Sequence, residues 1–326
     1  MNQLAKSTDS KKRTFQFYAV KWLEEVIPDV KETSVIKYRN IIHSYLLPHF
    51  GRSLVNKIDR RRIIAFTSSL LATGGAKGSG LKPSTVNTIL TVFKKILEFA
   101  SQETGRPMVN FRKLRVQVKK PTVSILQPDE QIKLWRYLTA NPSPCNLGVF
   151  LCLICGLRIG EICALKWHDV ELDRGVLSVS RALGRYQTFA KSGKRTKIEI
   201  TSLKSASSER KIPLAPDNIK FLALRRRRDE SYVLTGKSDK PMEPRTLRNH
   251  FKKTLDACDI HPINFHSLRH TFATTWIEQG LNLKALSEIL GHSSVNVTLN
   301  YYVHPSLESK RQSVSVYSKN VFSKYK

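Results

Sequence analysis

The stretch His266-Ser267-Leu268-Arg269-His270-Thr271-Phe272-Ala273-Thr274 reads as the opening of a helix that continues through Trp276 and Ile277. His266 and Arg269 lie three residues apart and so share one helix face. An imidazole and a guanidinium placed this way can converge on a single anionic group. A rival reading pairs His266 with His270, four apart, as metal ligands. The stretch lacks the intervening Glu of a metalloprotease helix, and no third ligand is evident. No metal or other cofactor is expected.

Four more short stretches flank this one. Upstream, Gly156-Leu157-Arg158-Ile159-Gly160-Glu161 ends one apolar helix at Gly156 and opens the next at Arg158. Glu161, one turn on, can brace the planar fork of Arg158 toward a phosphate, although an Arg–Glu pair at this spacing is also ordinary helix support. Lys204 sits in the polar turn Leu203–Ser208 between two expected strands. There it is either a solvated loop residue or a proton donor that enters a nucleic-acid groove. Downstream, Gly291 in Leu290-Gly291-His292 stops a helix, and His292 emerges where a second phosphate donor can sit. The stretch Thr298–Pro305 is a helix ended by Pro305, with Tyr301 and Tyr302 near its end. Neighbours on a helix point about 100° apart, so only one of the two can reach a shared target. Taken alone, either is as readily a packing residue.

The half of the chain that holds these stretches begins at Pro128-Asp129-Glu130, a good helix start, and helices follow to Trp167. Alternation then takes over in Val176–Val179, at Ile198 and Ile200, and in Ile212–Leu214, which predicts a small antiparallel sheet. Helices resume from Pro216 to about Tyr302. The first half reads as four or five amphipathic helices with basic exposed faces. Phe15–Val26 is stopped by Pro28, and a second helix runs from Thr33-Ser34 toward Pro48. Asp59 caps Arg60–Leu71, and the last helix runs from Pro83 to Phe99. Between Pro107 and Pro128 the periodicity fails among Arg112, Lys113, Arg115, Lys119 and Lys120, and the segment reads as an extended linker. Arg225–Arg228 reads as a solvated helix end, and the Cys152/Cys155 pair as helix-core packing.

Charge narrows the partner. Lys and Arg number 55 against 26 Asp and Glu, a formal +29 with a pI near 10.1. An excess of that size favours a polyanion, because each cation set on a phosphate releases condensed counterions. No apolar run approaches the length of a membrane span, and Met1–Arg13 lacks the apolar stretch of a secretory signal. Five Cys do not suggest a disulfide framework. The chain reads as intracellular.

In order and spacing, GLRIGE (156–161), Lys204, HSLRHTFAT (266–274), LGHSSV (290–295) and TLNYYVH (298–304) resemble the tyrosine recombinase, or phage integrase, family. Its pattern is Arg, Lys, HxxR, a His or Trp, then Tyr. The resemblance covers about residues 14–310, and the helical first half resembles the family's core-binding domain. The fold it implies is mainly α with a small antiparallel β-sheet in the catalytic domain, arranged as a two-domain DNA clamp. The expected divisions are a tail at 1–13, the helical DNA-binding domain at 14–106, a linker at 107–127, the catalytic domain at 128–305 and a C-terminal tail at 306–326.

The activity implied is that of a site-specific integrase of a mobile element, cutting and rejoining DNA through a 3′-phosphotyrosyl link without metal or ATP. Carried over by position, Arg158 and Arg269 clamp the scissile phosphate, His292 donates a further hydrogen bond, and Tyr302 attacks the phosphorus. Lys204 is the general acid for the departing 5′-oxygen, His266 is a proton acceptor or positioning group, and Glu161 orients the arginine pair. Family members commonly place the nucleophile two residues before a His, which here is His304 and selects Tyr302 over Tyr301. The partners implied are double-stranded DNA with specific recombination sites, a homotetramer on that DNA and DNA-bending accessory proteins, with no membrane. The location implied is cytoplasmic and nucleoid-associated. The tail carries Val314, Val316, Tyr317, Val321 and Phe322 spaced to dock as a short helix or strand on a neighbouring subunit. About 13 residues precede the first helix, so no separate arm-site domain is expected. A type IB topoisomerase shares the chemistry and a non-catalytic DNA-binding factor shares the fold; these are the alternatives.

Overall fold

Thr14 begins the first helix by accepting a hydrogen bond from the Phe17 amide (3.4 Å) through its hydroxyl. In the computed structural model, which describes residues 14–107, 109–111, 114–118, 124–187, 196–203, 208–302 and 307–322, the chain divides into two units at Pro121 and Thr122. In the first unit, α1 (Phe15–Val26) buries Phe15, Tyr18, Ala19 and Trp22, and a 3-10 turn holding Pro28 ends it. Helix α2 (Glu32–Ile41) passes through a π turn, Ile42–Leu46, into α3 (Leu47–Phe50). The chain therefore stays helical past Pro48, where a stop was expected, because the wider π turn tolerates the missing proline N–H. Helix α4 (Arg60–Thr73) starts where Asp59 accepts from the Arg62 amide at 2.8 Å. Helix α5 (Pro83–Thr104) runs one turn beyond the expected end at Phe99 and closes on left-handed Gly105. Phe15, Phe50, Phe66 and Phe93 meet at the centre, with Phe50 stacked on Phe93 at 4.6 Å.

The segment read as a linker is in part a wall of this unit. Leu114 is 7% exposed, and Val109, Phe111 and Val116 pack beside it. The Asn87 side chain clasps Val116 from both sides, donating to its carbonyl at 2.8 Å and accepting from its amide at 2.9 Å. Among so many cations, the irregular spacing of these apolar residues concealed a strip of core.

The second unit opens with α6 (Pro128–Ala140), α7 (Pro144–Cys155) and α8 (Ile159–Ala164). Cys152 and Cys155 are buried in its core as expected, and burial pushes the Cys155 thiol up to about 12. Among the described residues, five strands follow: β1 (Val170–Glu171), β2 (Val176–Val179), β3 (Arg181–Gln187), β4 (Thr196–Ser202) and β5 (Arg210–Pro213). They form two antiparallel sheets where one was expected, ordered β1-β2-β5 and β3-β4. Leu177 pairs with Val170 and Ile212 in the first, and Leu183 with Ile200 in the second. Ile198 and Ile200 are exposed, so their alternation marks a hairpin face and not a core strand.

Helices α9 (Pro216–Ala223), α10 (Pro244–Ala257), α11 (His266–Glu278), α12 (Leu283–Leu290), α13 (Val295–Tyr302) and α14 (Leu307–Phe322) complete the unit. Arg225–Arg228 follows the end of a helix, and Arg226, Arg227 and Arg228 are exposed as a solvated helix end would be, but Arg225 and Arg226 also make specific contacts. Helix α9 stops at Ala223, Arg226 donates to the carbonyls of Trp167 (3.0 Å) and Val170 (2.7 Å), and Arg225 lies 3.6 Å over the Phe221 ring. The tail does form a helix, α14, and leaves Val314, Tyr317 and Phe322 exposed. No helix among the described residues is long and apolar enough to cross a membrane.

Candidate active site

The last carbonyls of any α-helix lack intrahelical donors and carry the negative end of its dipole. Helix α12 is pinned at its start by Asn282, whose side chain accepts from the amides of Lys284 (2.8 Å) and Ala285 (3.0 Å), and it ends on left-handed Gly291 (φ 63°). Three successive carbonyls at that end each hold a different arginine. Arg210 Nε donates to Ile289 at 2.5 Å, Arg269 Nη2 to Leu290 at 2.6 Å, and Arg158 Nη2 to Gly291 at 3.3 Å. The three arginines arrive from β5, from α11 and from the start of α8.

Arg269 is 1% exposed and gives its second fork nitrogen to the Gly156 carbonyl at 2.7 Å. Gly156 turns the chain at the end of α7 with φ 60°, and a Cβ there would lie 2.7 Å from Phe272 Cδ1 and 2.9 Å from Leu290 Cδ2. Arg158, with its side chain 39% exposed, forms the rim of the site, and Arg269 forms its floor.

Glu161 is 2% exposed and saturated with donors. Its Oε1 accepts from Arg158 Nη1 (2.8 Å) and Arg210 Nη1 (3.2 Å), and its Oε2 from the Arg158 amide (2.9 Å) and Arg210 Nη2 (2.8 Å). Burial pushes its carboxyl up, but hydrogen bonds and charge from Arg210, then the charge and amide of Arg158, outweigh this and hold it below the usual carboxylate range. Three guanidiniums against one carboxylate leave two positive charges in excess, so the site suits an anion.

His292 follows Gly291 directly. Its Nε2 lies 3.0 Å from Arg269 Nη2 and its Nδ1 2.8 Å from Thr298 Oγ1. A guanidinium can only donate, so Nε2 accepts and Nδ1 carries the proton toward Thr298. Burial, then the charges of Arg269, Arg158 and Arg210, push His292 down to about 4. The ring is therefore neutral at pH 7 while no anion is bound. His266 lies on the first turn of α11. Loss of solvent on its protein side, then Arg269 and Arg158, hold it below the ordinary histidine range, with Glu161 opposing. His270 packs edge-on against it at 4.7 Å and is pushed down to about 4 by burial, then by His266 and Arg269.

Of the residues singled out in the sequence, the structure gathers Arg158, Glu161, Arg269 and His292 at the end of α12, with His266 one turn before Arg269. Tyr302 closes α13, the helix that starts three residues after His292, and its side chain lies outside the described part of the structure, as does that of Tyr301. Lys204 also lies outside the described residues, in the segment leading from β4 to β5. Sequence reasoning missed Arg210 and Thr298. The strand period of two did carry a signal for Arg210, which falls in phase with Ile212 and Leu214 and so on the inward face of β5. Thr298 is fully buried on α13, but nothing in its type marked it.

A cationic, imidazole-bearing cluster of this kind suits an anion such as a phosphate ester. Residues 124–308 match the phage integrase family, and residues 14–71 match the phage integrase N-terminal SAM-like domain. The first of these alone spans more than half of the chain; the chain belongs to the phage integrase family, the tyrosine-type site-specific recombinases. A tyrosine recombinase XerC-like protein of Caldanaerobacter subterraneus is 30% identical over 49% of this chain, a match that spans 45% of that protein. The ICEBs1 integrase of Bacillus subtilis is 25% identical over 85% of this chain and 75% of its own length. In fold, the chain is similar to the Tn1549 transposon integrase in complex with transposon right end DNA (TM-score 0.75, 19% identity, 93% of this chain and 99% of that one). It is also similar to a lambda integrase tetramer bound to a Holliday junction (TM-score 0.66, 17% identity, 93% of this chain and 81% of that one).

Proposed function

We propose that the protein cuts and rejoins double-stranded DNA at specific sites of a mobile element through a tyrosyl-phosphate intermediate. The observation that carries this reading is the gathering of Arg158, Arg269 and His292 at the end of α12, from which α13 leads directly to Tyr302. In this reading the Tyr302 oxygen attacks phosphorus, the bond from phosphorus to the 5′-oxygen breaks, and a 3′-phosphotyrosine forms. The phenol proton passes to His266 or to water it orients, and Lys204 protonates the leaving 5′-oxygen. Rejoining reverses each step, so the phosphotyrosine conserves the bond and no nucleotide cofactor is consumed. Arg158 and Arg269 meet the charge that grows on the phosphoryl oxygens, and the excess positive charge suits a dianionic pentacoordinate state better than the monoanionic diester. An arriving phosphate, opposite in charge to an imidazolium, shifts His292 toward its protonated form, in which Nε2 donates and no longer accepts. Glu161 holds Arg158 in its fork.

The likeness to an integrase tetramer on a junction supports, for this chain, a tetramer on DNA, with α14 offering its exposed Val314, Tyr317 and Phe322 to a neighbouring subunit. Topoisomerase-like relaxation and a purely binding role have no specific support.

A library of randomised nicked duplexes tests the reading. Adducts that survive denaturation are recovered and the joined DNA is sequenced. Tyr302→Phe is expected to abolish the adduct with DNA affinity nearly intact; an adduct retained by Tyr302→Phe and lost in Tyr301→Phe reassigns the nucleophile. Lys204→Ala is expected to cleave slowly and to recover on a 5′-thio substrate, whose better leaving group needs no acid; no recovery rejects the proton-donor role. Wild-type protein that gives no adduct at all rejects the recombinase reading.

A further inference from the structure

We infer that Arg210 is a third arginine of the reaction centre, a positioning residue that acts through Glu161 on Arg158. The inference rests on the reading of the site as a DNA-cleaving centre, and goes beyond it in naming what holds the exposed arginine in place. Arg210 has a side chain only 5% exposed, and every polar group it touches belongs to the site or to its frame. Its Nη1 and Nη2 grip both oxygens of Glu161 (3.2 and 2.8 Å), its Nε holds the Ile289 carbonyl (2.5 Å), and Nη1 also reaches the Ser208 carbonyl (3.0 Å).

A surface ion pair needs none of this. A buried guanidinium is costly to desolvate, and a bidentate bond to an equally buried carboxylate is the geometry that offsets the cost. The pair fixes Glu161 in one rotamer, with one lone pair on each oxygen aimed at Arg158, at the Nη1 on one side and the amide on the other. Without Arg210, Glu161 carries its whole charge toward Arg158, its one remaining cation. The fork is then drawn inward, away from the rim where a phosphate arrives. One positive charge is also removed from beneath the site, and the centre loses its match to the doubly charged transition state more than its match to the ground-state diester.

Single-turnover cleavage of the recovered site, at saturating DNA and per folded molecule, tests the inference with Arg210→Met and Arg210→Lys. Arg210→Lys keeps the buried charge and loses the fork, so it carries the test if Arg210→Met does not fold. Both are expected to slow adduct formation about 10- to 100-fold while the Kd for DNA stays within about threefold. The 5′-thio substrate is not expected to restore the rate, because the defect lies in the arginines and not in the proton donor. The double variant Glu161→Gln with Arg210→Met is expected to fall no further than the slower single variant. Rates equal to wild type, restoration by the 5′-thio substrate, or losses that multiply in the double variant would each overturn the inference. These outcomes are distinct from failure of the recombinase reading, in which wild-type protein itself forms no adduct.

Discussion

Replacing Gly156 with Ala perturbs the site at a buried position behind Arg269. Gly156 adopts φ 60° at the end of α7, and a side chain held in that left-handed conformation costs about 1–2 kcal/mol. The new methyl would also sit 2.7 Å from Phe272 Cδ1 and 2.9 Å from Leu290 Cδ2, both in packed surroundings. Overpacking of this kind costs a further ~1–3 kcal/mol, so the second unit should lose about 2–5 kcal/mol in total. Urea unfolding followed by tryptophan fluorescence measures it. Trp135, Trp167 and Trp276 lie in the second unit and Trp22 in the first, so a Trp22→Phe background isolates the second unit's transition. The midpoint should fall while the slope of free energy against urea is unchanged. Because the Gly156 carbonyl holds Arg269, cleavage per folded molecule should fall as well. A loss of stability below about 0.5 kcal/mol, the usual scatter of a surface substitution, would refute the argument from backbone conformation and packing.

Two further outcomes follow from the geometry. His292 and His270 are both pushed from an ordinary 6.5 to about 4 in the folded chain, so the unfolded chain binds more protons between those values and stability falls as pH drops from about 6.5 toward 4. Urea midpoints measured at pH 6.5 and 5, before carboxylates titrate strongly, should show the decline; a flat profile rejects neutral, buried imidazoles. Leu114→Ala should destabilise the first unit by about 2–5 kcal/mol, read from Trp22; a cost near zero would restore the free-linker reading of 107–127.

The sequence made the helices of both units legible because their apolar positions recur at helical spacing and their ends carry Asp59, Pro83, Gly156 and Gly291. It also made Arg158 and His292 legible beside helix termini, and Arg269 by its spacing from His266 on one helix face. Arg210 stayed hidden because a cation in a chain with 55 of them draws no attention until its burial is known. The packing of Val109, Phe111, Leu114 and Val116 was masked in the same way, by the charges interleaved with them in the sequence. The division of the strands into two sheets depends on the pairing of β3 with β4, a choice made by tertiary contacts and not by alternation.

The row of carbonyls from Ile289 to Gly291 has an evolutionary consequence. Main-chain oxygens are the same whatever side chain they accompany, so the cradle can be inherited through extensive drift at these positions, provided the chain still bends at Gly291. Relatives with dissimilar residues there can keep the same alignment of guanidiniums, and comparison of letters alone would pass over the part that aligns them.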